Sequence, residues 1–205
     1  MGAAEPESGE WRQAPWLRKV SHWTFLSVVG GVWGIKVSGI ENLPQDGPVI
    51  LAGNHVSVMD GPLIGVAAGP RRYMRGMGKQ ELFRIPVLGW WLRNTGQVPL
   101  ERSGDVKAMR WAVDLLKSGG CLLLFPEGTR SKDGKPGRPK AGVGFLAGLT
   151  GAQVVPTRSV NTDRFPKPAG LEVRFGAPLR FEGDAGDRAQ CLSFGQKVMD
   201  RIFAL

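Results

Sequence analysis

The chain reads as an α/β protein with a mixed, mostly parallel central sheet flanked by helices and an N-terminal interfacial helical segment. Three observations predict this. Short apolar runs bounded by turn residues recur along the 205 residues, and stretches of helical periodicity alternate with most of them. Two of those runs, at 49–53 and 121–125, read as buried strands. Each of the two is followed at once by a short polar motif, and open α/β sheets place their ligands at the carboxyl ends of strands.

Residues 1–10, rich in Ala, Glu, Pro, Ser and Gly, are expected to be a disordered start. Residues 11–33 differ in kind. Four of the seven tryptophans, Trp11, Trp16, Trp23 and Trp33, fall there beside Arg12, Arg18 and Lys19, and tryptophan favours the headgroup layer of a membrane. The apolar centre of this stretch, 23–35, holds Gly30, Gly31, Gly34 and two hydroxyl side chains. At 13 residues it is shorter than the roughly 20 that a spanning helix needs. It reads as one or two interfacial helices, or else as an amphipathic hairpin packed on the core. No small-residue cleavage site marks a signal peptide. His22, inside this stretch, either faces a membrane or packs.

The remaining residues, 34–205, read as one compact domain, since 205 residues of which 42% are apolar can bury a sizeable core. Strands are expected near 36–39, 49–53, 72–77, 97–100, 121–125, 154–160 and 171–175. Helices are expected at 62–68, 86–93, 105–117, 141–149 and 187–203. The clearest is 105–117, with Val106, Met109, Val113 and Leu116 on one face and Gly119-Gly120 as its stop. Cys121 and Cys191 lie far apart and make no disulfide framework, so a reducing setting and plain burial of Cys121 are expected.

The first polar motif, NHVSVMD, sets His55 and Asp60 five positions apart after the 49–53 strand. Asp60-Gly61-Pro62 reads as a helix start with Asp60 near the N-cap, which folds the carboxylate back toward the imidazole. An imidazole held by a carboxylate is a general base poised near neutral pH. Taken alone, His55 reads rather as a satisfied core histidine, and it is the second motif that reverses this. The second motif, FPEGTR at 125–130, offers Gly128 for a sharp turn or a close approach to a ligand and Arg130 as a rigid fork of donors for phosphate or carboxylate, with Thr129 beside it. Glu127 is expected to orient Arg130 or to accept from a ligand hydroxyl. A second imidazole, His22, without an aspartate cluster does not make a metal site.

These two motifs, in this order, resemble the glycerolipid acyltransferase family, most closely its 1-acylglycerol-3-phosphate acyltransferase branch. Further similar blocks are KVSGIENLP, GKQELFRIPVLGW, VPLER ending at Arg102, and VVPTRS around Pro156, so the resemblance runs over about 35–178. It implies that His55 takes the proton of a glycerol hydroxyl as that oxygen attacks the thioester of acyl-CoA or acyl carrier protein, with Asp60 orienting the ring. With no GxSxG elbow, direct transfer follows. It also implies phosphate-binding roles for Arg130 and Lys79, with Arg102 close by, and shaping roles for Gly128 and Pro156. On spacing alone Lys79 is a surface lysine and Arg102 an ion-pair partner; Pro156 is expected at a sheet edge or bulge. The helix 86–93 either walls an acyl tunnel or fills the core.

Formal charge is +9, with basic clusters at Arg71, Arg72, Arg75, Lys79 and Arg84 and again from Arg130 through Lys132, Lys135, Arg138 and Lys140. An anionic partner is expected. The chain lacks the basic stripe and aromatic stacking pattern of nucleic-acid modules, so anionic lipid fits better. The Gly-, Pro- and Lys-rich loop 131–140 is expected to be mobile, over donor phosphates, over headgroups or simply solvated. The expected partners are therefore a lysophospholipid acceptor, an acyl thioester donor carried by CoA or acyl carrier protein, and the cytoplasmic face of a membrane, bound peripherally or monotopically; no other cofactor, metal or nucleic acid is expected. Two alternatives stay open: another lysophospholipid or glycolipid as acceptor, and a non-catalytic module that binds anionic lipid.

Overall fold

The computed structural model describes residues 14–100, 106–131, 136–167 and 170–205. The readings made above for 1–10, Trp11, Arg12, Arg102, the first residue of the 105–117 helix, Lys132 and Lys135 fall outside them. Among the described residues one helix, α1 (Pro15–Trp33), precedes the sheet, opened by a proline in its first turn, where the missing N–H would have no helical partner in any case. The chain continues as β1 (Ile35–Ser38), β2 (Val49–Gly53), α2 (Asp60–Ala68), β3 (Arg75–Lys79), α3 (Gln80–Arg84), α4 (Pro86–Asn94) and β4 (Val98–Leu100). Then follow α5 (Val106–Lys117), β5 (Cys121–Leu124), α6 (Gly142–Thr150), β6 (Gln153–Val160), β7 (Leu171–Phe175) and α7 (Arg188–Phe203). Short 3-10 turns stand at Ile40–Asn42 and Thr162–Arg164.

The seven strands form one sheet in the order β1-β7-β6-β2-β5-β3-β4, and every neighbouring pair is parallel except β6 with β7. The mixed, mostly parallel sheet is thus the observed one. β2 lies at its centre with all five residues buried, which is why its sequence is apolar without alternation. Val49 and Leu51 face a layer formed by Leu63, Ile64, Ala67 and Ala68 of α2 and by Val29 of α1. Ile50 and Ala52 face the opposite layer, filled from α5, α6 and α7 by Leu116, Val143, Leu146, Val198, Met199 and Ile202. Each fully buried Leu or Ile contributes about 2 kcal/mol of transfer free energy.

Several expectations are corrected here. The strand expected from residue 72 starts at Arg75, because Arg71 and Arg72 belong to the turn leaving α2, their N–H groups donating to Ala68 O. Their guanidinium groups are no surface patch either. Arg71 donates to the carbonyls of Leu43 and Glu41, and Arg72 to those of Pro44, Gly47 and Gly119, so the pair ties three loops together. In α5 the buried face is Ala108, Ala112, Leu115 and Leu116, while Val106 points outward at 71% exposure. Two alanines let the helix lie close on the sheet, which turns Met109 and Val113 sideways to line an apolar groove with Phe145 and Leu149. The short helix α3 had not been expected. It folds back on α4 so closely that a Cβ at Gly89 would sit 2.1 Å from Phe83 O. α4 does not fill the core: only Gly89 is buried, and Val87 and Trp90 stand out at 80% and 52% exposure.

Candidate active site

β2 and β5 are neighbours in register, Ala52 beside Leu124, so the two polar motifs leave the sheet side by side. The connection from β2 passes to α2 on one face and that from β5 to α6 on the other, which opens a crevice between their carboxyl ends.

The loop after β2 is held first by Asn54. Its buried amide donates to Ser159 O at 3.0 Å and accepts from Ser159 N at 2.8 Å, which extends the pairing of β2 with β6 by one side chain. Asp60 is the first helical residue of α2, next to the cap position as expected, and its carboxylate turns back into the loop. Oδ2 accepts from the backbone N–H groups of Val56 and Ser57, both at 2.7 Å, and lies 3.1 Å from His55 Nδ1. Oδ1 accepts from Ser159 Oγ at 2.8 Å and Thr162 Oγ1 at 2.5 Å. The side chain is fully buried, whereas the His55 ring is 21% exposed. Burial pushes the Asp60 carboxyl up, but hydrogen bonds from His55, Thr162, Ser57 and Ser159 together outweigh it and hold the group below the usual aspartate value. An ionised carboxylate can only accept, so it selects the His55 tautomer with the proton on Nδ1 and leaves Nε2 as the free acceptor.

The second motif builds the other side of His55. Phe125 stacks on the imidazole with centroids 3.9 Å apart and planes 9° from parallel. Gly53 makes room for that ring, since a Cβ there would stand 3.2 Å from Phe125 Cε1. A turn closed by Gly128 N donating to Phe125 O at 2.9 Å follows, the sharp turn expected there, and Gly128 makes it at φ 70°, in the left-handed region. Glu127 does not orient Arg130. It is buried, with Oε1 accepting from His55 N at 3.2 Å and Oε2 from Gly137 N at 2.9 Å. Ser131 N donates to His55 O at 2.8 Å. The histidine is therefore gripped by this motif and the residue after it at its backbone N–H, its backbone carbonyl and its ring face.

The same contacts correct the picture of a mobile 131–140 loop: its last part is stitched down through Gly137 and by Lys140 N donating to Pro126 O at 2.9 Å. Lys140 lies over Gly128, where a Cβ would meet its ammonium at 2.8 Å. Thr129 and Arg130 are exposed beside this turn. Lys79, also exposed, ends β3, a strand that pairs β5 on the side away from β2. Pro156 is buried in the interior strand β6 opposite Ala52, not at a sheet edge. Its bulge is real: between the pairs Thr157 with Phe175 and Val154 with Leu179 the β7 side holds one extra residue. Both cysteines are unpaired and buried, and burial pushes the Cys121 thiol up to about 12. His22 packs its ring against Gly69 at the end of α2. Among the described residues no group of three or more His, Cys, Asp or Glu side chains converges as a metal site.

Ser159, Thr162, Asn54 and the ring of Phe125 were not singled out from sequence. Phe125 heads the FPEGTR motif and Ser159 closes the VVPTRS block, so their positions were visible but their partners were not; Thr162, 102 residues from Asp60, carries no local signal.

The acyltransferase family profile matches residues 34–160. The chain belongs to the acyltransferase family. As an acyltransferase-family member it is 35% identical over 167 residues to a chloroplastic 1-acyl-sn-glycerol-3-phosphate acyltransferase of Arabidopsis thaliana, a match covering 77% of this chain and 46% of that protein. It is 29% identical over 188 residues to a 1-acyl-sn-glycerol-3-phosphate acyltransferase of Pseudomonas aeruginosa, covering 87% and 68%. The crystal structure of the 1-acyl-sn-glycerophosphate (LPA) acyltransferase PlsC from Thermotoga maritima superposes with a TM-score of 0.68 at 28% identity, over 92% of this chain and 78% of that one. This acyltransferase-family chain spans less than half the length of the plant relatives it matches.

Proposed function

We propose that the chain transfers a fatty acyl group from acyl-CoA or acyl carrier protein to the free hydroxyl of 1-acylglycerol-3-phosphate, giving phosphatidic acid. The observation that carries this reading is His55, held through Nδ1 by an ionised Asp60 and stacked on Phe125 of the adjoining motif. In the reaction His55 Nε2 takes the hydroxyl proton as the oxygen attacks the thioester carbonyl. The C–O ester bond forms, the C–S bond breaks, and the departing sulfur takes the proton back from the imidazolium as thiol. Arg130, exposed beside the Gly128 turn, and Lys79 at the end of β3 are the cations offered to the acceptor's phosphate.

The acceptor is a lipid, and the reading includes residues 11–33 as a membrane-facing segment on the catalytic domain 34–205, bound peripherally or monotopically at the cytoplasmic face. Supporting it, the outward side of α1 carries Trp16, Val20, Trp23, Val28 and Val32, all more than half exposed. α4 adjoins it, with Trp91 Nε1 donating to Ser21 Oγ at 2.7 Å, and adds Val87 and Trp90. No helix among the described residues is long and apolar enough to cross a membrane.

The test is thiol release from a long-chain acyl-CoA, with and without 1-acylglycerol-3-phosphate in vesicles. Acceptor-dependent release should fall about 100-fold to 10,000-fold in His55→Ala. Release that ignores the acceptor, or near-normal turnover by the variant, would refute the reading.

A further inference from the structure

Asp60 is over-supplied with partners for a residue that only has to face a histidine. Its Oδ2 already meets His55 Nδ1 and two backbone N–H groups, yet its Oδ1 is capped by two more donors, and both are hydroxyls brought in from the far end of β6. Ser159 is 3% exposed and Thr162 is fully buried, so neither hydroxyl is on loan from solvent. Ser159 Oγ also lies 3.2 Å from Asn54 Oδ1, but a hydroxyl has one proton, and the 2.8 Å contact to a charged acceptor is the one that takes it. Thr162 stands at the start of a 3-10 turn reached through Asn161, which holds φ 64°. A non-glycine residue in that conformation is uncommon, and here it turns the chain so that Thr162 reaches back to the carboxylate.

We propose that Ser159 and Thr162 are positioning residues of the His55–Asp60 pair: their hydroxyls fix the rotation of the Asp60 carboxylate about its terminal bond, so that Oδ2 stays on His55 Nδ1 and the imidazole keeps its proton there. Without them the carboxylate has no other donor on Oδ1 among the described residues, and its plane can turn until Oδ2 serves the Val56 and Ser57 amides alone. The ring would then lose the acceptor that selects its tautomer. The loop after β6 thereby acts on the reaction without touching substrate. Asp60 already sits in the helix that leaves β2, and the FPEGTR turn leaves β5; the hydroxyl pair adds a third strand end, that of β6, to the same device. This inference rests on the acyl-transfer reading for its kinetic part only.

The experiment compares Thr162→Val, which keeps the shape and removes the hydroxyl, with Thr162→Ser, which restores it, and with Ser159→Ala. kcat and the KM of both substrates are measured. The 15N resonances of the imidazoles are recorded alongside, the chain having two histidines, so that His22→Gln assigns His55. Loss of a hydrogen bond to a charged group predicts a fall in kcat of about tenfold or more in Thr162→Val with both KM values within about twofold. The Nδ1–H signature of the neutral His55 ring should give way to a tautomer mixture, and Thr162→Ser should recover both readouts. A Thr162→Val protein with native kcat and native tautomer overturns the proposal. So does equal loss in Thr162→Ser, which would assign the effect to packing. Should Thr162→Val not fold, Ser159→Ala carries the same measurement, and failure of both to fold would assign the hydroxyls to stability and overturn it too. The tautomer needs no turnover: a tautomer that shifts in a protein inactive on every acyl thioester would uphold the positioning and sink the acyltransferase reading instead.

Discussion

At the scale of single residues, the site is a set of local assignments completed by distant ones. Asp60 is depressed below its ordinary value, so its contribution to stability is fully present above that value, about pH 4, and is lost as pH falls through the lower folded one. Urea midpoints of the native chain should therefore decline on acidification from about pH 5 toward pH 2, and Asp60→Asn should be less stable at pH 7 and flatter across that range. An unchanged acid slope in Asp60→Asn would mean that other carboxylates carry it. Arg130, exposed and outside the His55 grip, makes a separable prediction. Arg130→Gln should raise the KM for the phosphorylated acceptor about tenfold or more while leaving that of the acyl donor within twofold. An equal rise for both would argue against a phosphate contact.

Among the elements, close approach of backbones decides more than propensity does. α6 meets α7 at Gly144, where a Cβ would lie 2.7 Å from Cys191 Cα and from its carbonyl oxygen, atoms of a helix backbone that cannot swing aside. Gly144→Ala should cost about 1–3 kcal/mol through overpacking and lower the melting temperature by several degrees, roughly 2–4 °C per kcal/mol for a chain of this size. A melting curve identical to that of the native chain would show that the two helices can part freely. The periodicity of 105–117 located α5 but misplaced its buried face, because alanines count little on an apolar scale and yet are what a sheet admits at short distance. The extra turn α3 is visible only in contact with α4.

Across the whole molecule, charge and exposed apolar surface point the same way. Net charge is +9, and the exposed side chains Trp16, Trp23, Val87 and Trp90 lie on two adjoining helices, so binding to anionic vesicles should exceed binding to neutral ones and weaken with salt. A double variant Trp23→Glu and Val87→Glu should lose most vesicle binding in sedimentation while keeping its far-ultraviolet circular dichroism. Retained binding would count against these two helices as a membrane-facing surface.

The succession of strands and helices along the chain, α3 apart, the strand-end position of both motifs and the turn at Gly128 follow from the sequence, because each depends on neighbours within a few residues: apolar period, a glycine at a turn, a proline at a helix start. The family resemblance was legible for the same reason, in two unbroken blocks of residues. What the tertiary structure alone decided is who holds whom. Glu127, free to choose Arg130 by proximity in sequence, instead binds the backbone of His55, 72 residues away, and the hydroxyls on Asp60 come from 99 and 102 residues away. Those partners are set by which strands lie side by side in the sheet, and strand order is a property of the packed core that no local window contains.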